Sequence, residues 1–180
     1  MTVWALLFAL AAPAAASGDT PPVPGTYELL VCRPDCDLAR PQNILVRGIV
    51  VLMADEFDPG EVPESLRSAF ESGYMYDAAP TGCFVLETVQ AERTYAGIDA
   101  IGFLRWFGTS ESVRFNLYAS SDAGYKATVA FSRAGFTGKG VSWGAGVAAP
   151  GFGPDALSGR RLGPPEVERC VEAARRASQK

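Results

Sequence analysis

The stretches SVRFNLYA at 112–119 and YKATVAFS at 125–132 decide the fold class. In the first, Val113, Phe115 and Leu117 alternate with Arg114, Asn116 and Tyr118. In the second, Tyr125, Ala127, Val129 and Phe131 alternate with more polar neighbours. Successive side chains of a strand point to opposite faces, so a period of two places one face in a core and leaves the other wetter. Ser121-Asp122-Ala123-Gly124 lies between the two stretches and has the composition of a tight reversal.

The same pattern extends in both directions. Ile98 to Phe107 reads as a strand before the first stretch, with Gly108-Thr109-Ser110 as its turn, and Phe136 to Trp143 reads as a strand after the second, across Arg133-Ala134-Gly135. These segments predict a consecutive antiparallel meander. Toward the N-terminus, Gly25 to Cys32, Ile44 to Met53 and the segment from Cys83 (CFVLETV) add further strands rich in β-branched residues. Pro63 to Ser72 changes period: Leu66, Ala69 and Phe70 join Val62 on one helical face, with Pro63 in the first turn and Gly73 at the end. GAGVAAPGFGPD, after Trp143, holds too much Gly and Pro for regular structure and reads as a long loop before a short strand around Ala156 to Arg161. Pro164-Pro165 introduces a C-terminal helix on which Val167, Cys170, Val171 and Ala174 share a face.

The fold expected is therefore mainly β, an antiparallel meander forming a small barrel or curved sheet, with a short mid-chain helix and a C-terminal helix. Closure would protect the strand edges. By analogy the pattern resembles an eight-strand calycin-like barrel. Gly25-Thr26-Tyr27 stands where such barrels carry a G-x-W strand opening, with tyrosine in place of the tryptophan.

With 180 residues, 48% hydrophobic and 20% charged, the chain has the composition of one globular domain. A net charge of −4 and a pI near 4.9 argue against a nucleic-acid partner, which usually meets a clustered basic face. Val3 to Ala16 (VWALLFALAAPAAA) is an apolar run ending in an A-x-A pattern at Ala14 and Ala16, read as a signal peptide over residues 1–16. Residues 17–180 then form the mature domain, with no integral membrane segment, in the periplasm or outside the cell. Such places preserve disulfides. Cys32, Cys36, Cys83 and Cys170 permit three pairings. Cys32 with Cys36, around Arg33-Pro34-Asp35, and Cys83 with Cys170 are preferred; four thiolates without paired C-x₂-C spacings do not suit a metal.

Gly140-Val141-Ser142-Trp143-Gly144 matches the G-x-S-x-G of serine hydrolases. The sequence contains 0 histidines, so the base of the usual triad is missing and the glycines read as relief of crowding along a curved strand. Asp55, Glu56, Asp58, Glu61 and Glu64 form the densest acidic patch, in a spacing specific for neither glycoside hydrolysis nor calcium. Arg160-Arg161 offers a cationic pair for an anion. Trp106, Trp143, Tyr118 and Tyr125 are the candidate ligand-binding aromatics. No catalytic residue, cofactor or metal is expected. The leading expectation is a non-enzymatic binding protein of the bacterial envelope, its partner a small molecule, glycan or protein, with an inhibitor or immunity protein as one version. A carboxylate-dependent hydrolase of envelope polysaccharide and a structural envelope component are the alternatives.

Overall fold

A computed structural model of the chain describes residues 22–58, 60, 62, 64, 67, 80–90, 101–119, 123–144 and 154–177. The expected signal peptide, the expected helix Pro63 to Ser72 (apart from isolated positions) and the loop 145–153 lie outside the described residues. Nine strands form one sheet: β1 (Gly25–Cys32), β2 (Ile44–Leu52), β3 (Gly82–Thr88), β4 (Ile101–Leu104), β5 (Trp106–Thr109), β6 (Ser112–Ala119), β7 (Ala123–Ser132), β8 (Gly135–Gly144) and β9 (Asp155–Gly163). A 3-10 helix, Pro41–Asn43, leads into β2, and helix α1 spans Glu168–Ala177.

Each strand pairs antiparallel with its neighbour in sequence, except that β4 and β5 follow each other across Arg105 and pair with β3 and β6 respectively. The first strand also pairs with the last, Leu29 lying opposite Gly159. The sheet is thereby a nearly closed barrel, and the meander read from the alternation is present. Several boundaries differ from expectation, among them Ala123, Gly124 and Gly135, read as turn, and Gly144, read as loop, which are paired strand residues. The segment read as one strand from Ile98 to Phe107 is two, because the chain changes partners at Arg105, and its residues before 101 lie outside the described part. Gly108 and Thr109, read as turn, are the paired end of β5, and the reversal falls at Ser110 and Glu111. Gly108 takes φ +116°, a conformation that suits glycine at the end of a tight hairpin. The short strand near Ala156 is a full nine-residue member lying between β1 and β8.

The barrel interior is filled by the inward positions. Tyr27, Leu29 and Val31 of β1 meet Val113, Phe115, Leu117, Tyr125, Ala127, Val129, Phe131 and Phe136 in one buried cluster. Tyr27, Phe131 and Phe136 pack mutually, with ring centroids 5.1–5.5 Å apart, contacts worth about 0.5–1.5 kcal/mol each beyond burial. Glycines make the room: a Cβ on Gly159 would run into the Phe136 ring, and one on Gly140 into the Tyr125 ring. A second cluster lies on the outer side of β2 and β3, where Val51, Cys83, Val85 and Phe103 meet Cys170 and Val171 of α1. Val167, Cys170 and Val171, on the face predicted to dock, make this contact; the side chain of Ala174 lies outside the described part. The structure contains both disulfides, Cys83–Cys170 joining β3 to α1 and Cys32–Cys36 closing the turn after β1.

Candidate functional site

The ends of β1, β3, β6 and β8 and the starts of β2, β4, β7 and β9 share one end of the barrel, called here the upper end. A buried polar group sits there. Asp155 opens β9 opposite Gly140, and its position in the inward series Asp155, Leu157, Gly159 points its carboxylate into the barrel mouth, where it is 5% exposed. Because Gly140 has no side chain, the Tyr125 phenol passes over it and donates to Asp155 Oδ2 at 3.3 Å. Arg33, the residue after Cys32, places Nε at 2.8 Å and Nη2 at 2.6 Å from Asp155 Oδ1.

Burial pushes the Asp155 carboxyl above its ordinary range, against the pull of the Arg33 guanidinium and the Tyr125 hydrogen bond. Burial also pushes the Tyr125 phenol up, and the adjacent Asp155 adds to it, so the phenol stays protonated and donating. Both carboxylate oxygens are engaged within the protein. The arrangement ties a loop to a strand.

The loop it ties, residues 33–43, is held at several points. The Arg33 backbone N–H donates to the Asn43 carbonyl, Asn43 Nδ2 donates to Asp35 Oδ1, and Arg40 bridges Asp35 and Asp37. The Ala39 N–H and then Arg40 hold the Asp37 carboxyl below the usual carboxylate range. Gln90 Nε2 donates to the carbonyls of Gln42 and Ile44, which joins the end of β3 to the same loop. At the loop tip Leu38 is 72% exposed.

The four candidate aromatics are only partly brought together. Tyr118 lies opposite Tyr125, and Trp143 opposite Gly124, all at the upper ends of β6, β7 and β8; the side chains of Tyr118 and Trp143 lie outside the described part. Tyr125 points inward and is buried. Trp106 stands lower, opposite Phe115, packed against the core with its indole N–H donating to the Met53 carbonyl at 2.8 Å. Ser142 lies within β8 opposite Tyr125, so the G-x-S-x-G match occupies a strand rather than a strand-to-helix elbow.

In the acidic segment, Glu56 pairs with Arg105, Asp58 accepts from the Gly60 N–H, and Glu64 pairs with Arg67. The two late arginines separate. Arg160 forms an exposed pair with Glu28. Arg161 lies over the Tyr27 ring, 5.6 Å from its centroid, and donates to the Tyr27 hydroxyl and to the carbonyls of Pro22 and Pro24. Sequence reasoning missed Arg33 and Asp155. The signal was present in the single carboxylate at the head of an inward series, but that series contains a glycine and does not read as alternation.

No protein-family model, curated protein or solved structure matches this chain. The fold and the site define a small disulfide-bonded antiparallel β-barrel with a braced loop at one end. Two disulfides, and the absence among the described residues of a helix long and apolar enough to cross a membrane, are compatible with a periplasmic or extracellular protein.

Proposed function

We propose that this chain is an exported, non-enzymatic binding protein of the bacterial envelope that engages its partner through the upper end of the barrel. The observation that carries the reading is the braced loop 33–43, tied by Cys32–Cys36 and by the partly buried Arg33–Asp155 pair while it presents Leu38 to solvent. Fixing a loop before binding lowers the ordering cost of association. Leu38, at the tip of this braced loop, would be the apolar anchor of the contact. The aromatic side chains that fill the interior favour an external contact over an enclosed ligand. A leader over residues 1–16 would deliver the domain to a compartment where both disulfides persist. An inhibitor or immunity protein for an envelope hydrolase is the version this geometry suits, since one braced loop can occupy a cleft.

The test is retention of envelope components by the oxidised mature domain, with a Leu38→Asp variant in parallel. Saturable recovery of one component, lost in the variant while the thermal transition is unchanged, supports the reading. No saturable recovery, or recovery indifferent to Leu38→Asp, overturns it.

A further inference from the structure

The outer face of β5 to β8 carries a sign opposite to that of the whole protein. Across these strands the sequences WFGT, SVRFNLYA, AGYKATVAFS and GFTGKGVSWG contain Arg114, Lys126 and Lys139 and no Asp or Glu, in a chain of net charge −4. Register makes this a patch. Phe107, Arg114, Thr128 and Lys139 are successive cross-strand partners, and Lys126 lies two residues from Thr128 on β7. With strands about 4.8 Å apart and about 3.4 Å per residue, the three cations form a triangle with sides of roughly 8–10 Å.

All three side chains are exposed, and none forms an ion pair among the described residues. Beside them Phe107 is 54% exposed, with the Arg105 guanidinium 5.5 Å from its ring centroid, and Val141 is 46% exposed next to Lys126 in register. The described carboxylates on this side stand at its margins, Glu56 bound to Arg105 and Glu111 in the β5–β6 turn. Elsewhere charges are mixed: Glu28 with Arg160 and Arg47 opposite Glu87.

We infer that this face docks on an anionic bilayer surface, through lipid headgroup phosphates. Thr128 lies between Arg114 and Lys139, and Ser112, Ala130 and Thr137 form the next row; these small uncharged side chains offer little to orient one particular protein. Clustered cations beside an exposed aromatic ring are what an anionic membrane interface selects. Loop 33–43 lies at the end of the barrel beside β1, β2 and β9, whereas this face lies on its side across β5 to β8. The inference therefore stands apart from the loop-mediated binding proposed above, and each can fail alone.

The experiment is sedimentation of the oxidised protein with vesicles of equal phosphatidylglycerol and phosphatidylcholine, against vesicles of phosphatidylcholine alone. Binding is expected on the anionic vesicles only, and lost near about 0.5 M salt, where the screening length falls to a few Å. Each of Arg114→Gln, Lys126→Gln and Lys139→Gln should weaken it about fivefold, and the triple variant about 100-fold. Phe107→Ser should weaken it further, while Arg47→Gln, on the mixed side, should not. All these positions are exposed, and circular dichroism checks that the variants fold. Equal binding to both vesicle types overturns the inference, as does an Arg47→Gln loss matching Arg114→Gln. So does retention on a soluble acidic polypeptide or polyphosphate without retention on vesicles, or salt-reversible self-association that the triple variant abolishes.

Discussion

Opening Cys83–Cys170 should cost this protein far more stability than opening Cys32–Cys36. The bridge joins residues 87 positions apart, for which the chain-entropy relation gives about 4.6 kcal/mol at room temperature. Cys32–Cys36 joins residues 4 apart, and the same relation gives only about 2 kcal/mol. The structure adds to the difference. Both Cys83 and Cys170 are buried, in a cluster with Val51, Phe57, Val85 and Phe103, and α1 holds this cluster through Cys170 and Val171, with Val167 just before the helix packed against it. A freed α1 would expose that apolar surface. The perturbation is a pair of double variants, Cys83→Ala/Cys170→Ala and Cys32→Ala/Cys36→Ala, each compared with the oxidised parent in urea and followed by tryptophan fluorescence and circular dichroism. For a domain of this size, a loss of 4–5 kcal/mol corresponds to a fall in Tm of roughly 10–18 °C. If the long-bridge variant lost less than about 2 kcal/mol, or less than the short-bridge variant, the loop-entropy reasoning and the docking role of α1 would both be refuted.

Three further outcomes follow from particular contacts. Gly159→Ala sets a methyl into the Phe136 ring from backbone that is paired on both sides, so thermal unfolding should register about 1–3 kcal/mol of lost stability; an unchanged Tm would show that the ring can move aside. Arg161→Ala removes the cation over Tyr27 and its hydrogen bonds to Tyr27, Pro22 and Pro24, and should cost about 2–3 kcal/mol in urea unfolding. Asp155 has a raised folded-state pKa. The folded state therefore holds this proton to higher pH than the unfolded state does, so the group's contribution is fullest below its ordinary value of 3.8 and declines as pH rises through the folded value. Asp155→Asn should remove that component from the stability profile measured across mildly acidic pH, and an identical slope in both proteins would count against it.

Much of this architecture was legible in the sequence, and its gaps have physical causes. β6 and β7 were readable because their inward residues are apolar and their outward ones are not, and the structure buries Val113, Phe115, Leu117, Tyr125, Ala127, Val129 and Phe131 accordingly. The break at Arg105 was not readable, since IGFLRWFG is apolar on both sides of it. What marks the break is an ion pair with Glu56, 49 positions away. β9 was underestimated because its inward positions are an aspartate, a leucine and a glycine, and only Phe136 on the neighbouring strand explains the glycine. At the candidate site the aromatics were visible as residue types. That Tyr125 faces inward to a carboxylate depends on Gly140 and Asp155 being in register, which the order of residues does not announce.

The pairing of the first strand with the last bears on when the barrel can form. Thr26 reaches Pro164 across 138 positions, and one edge of β1 finds its partner only in β9. During synthesis that edge stays open until β9 has appeared, however early β1 and β2 meet. Contacts so distant in sequence slow folding, so the hairpin of β1 and β2 can form early and still wait on β9 for the barrel to close.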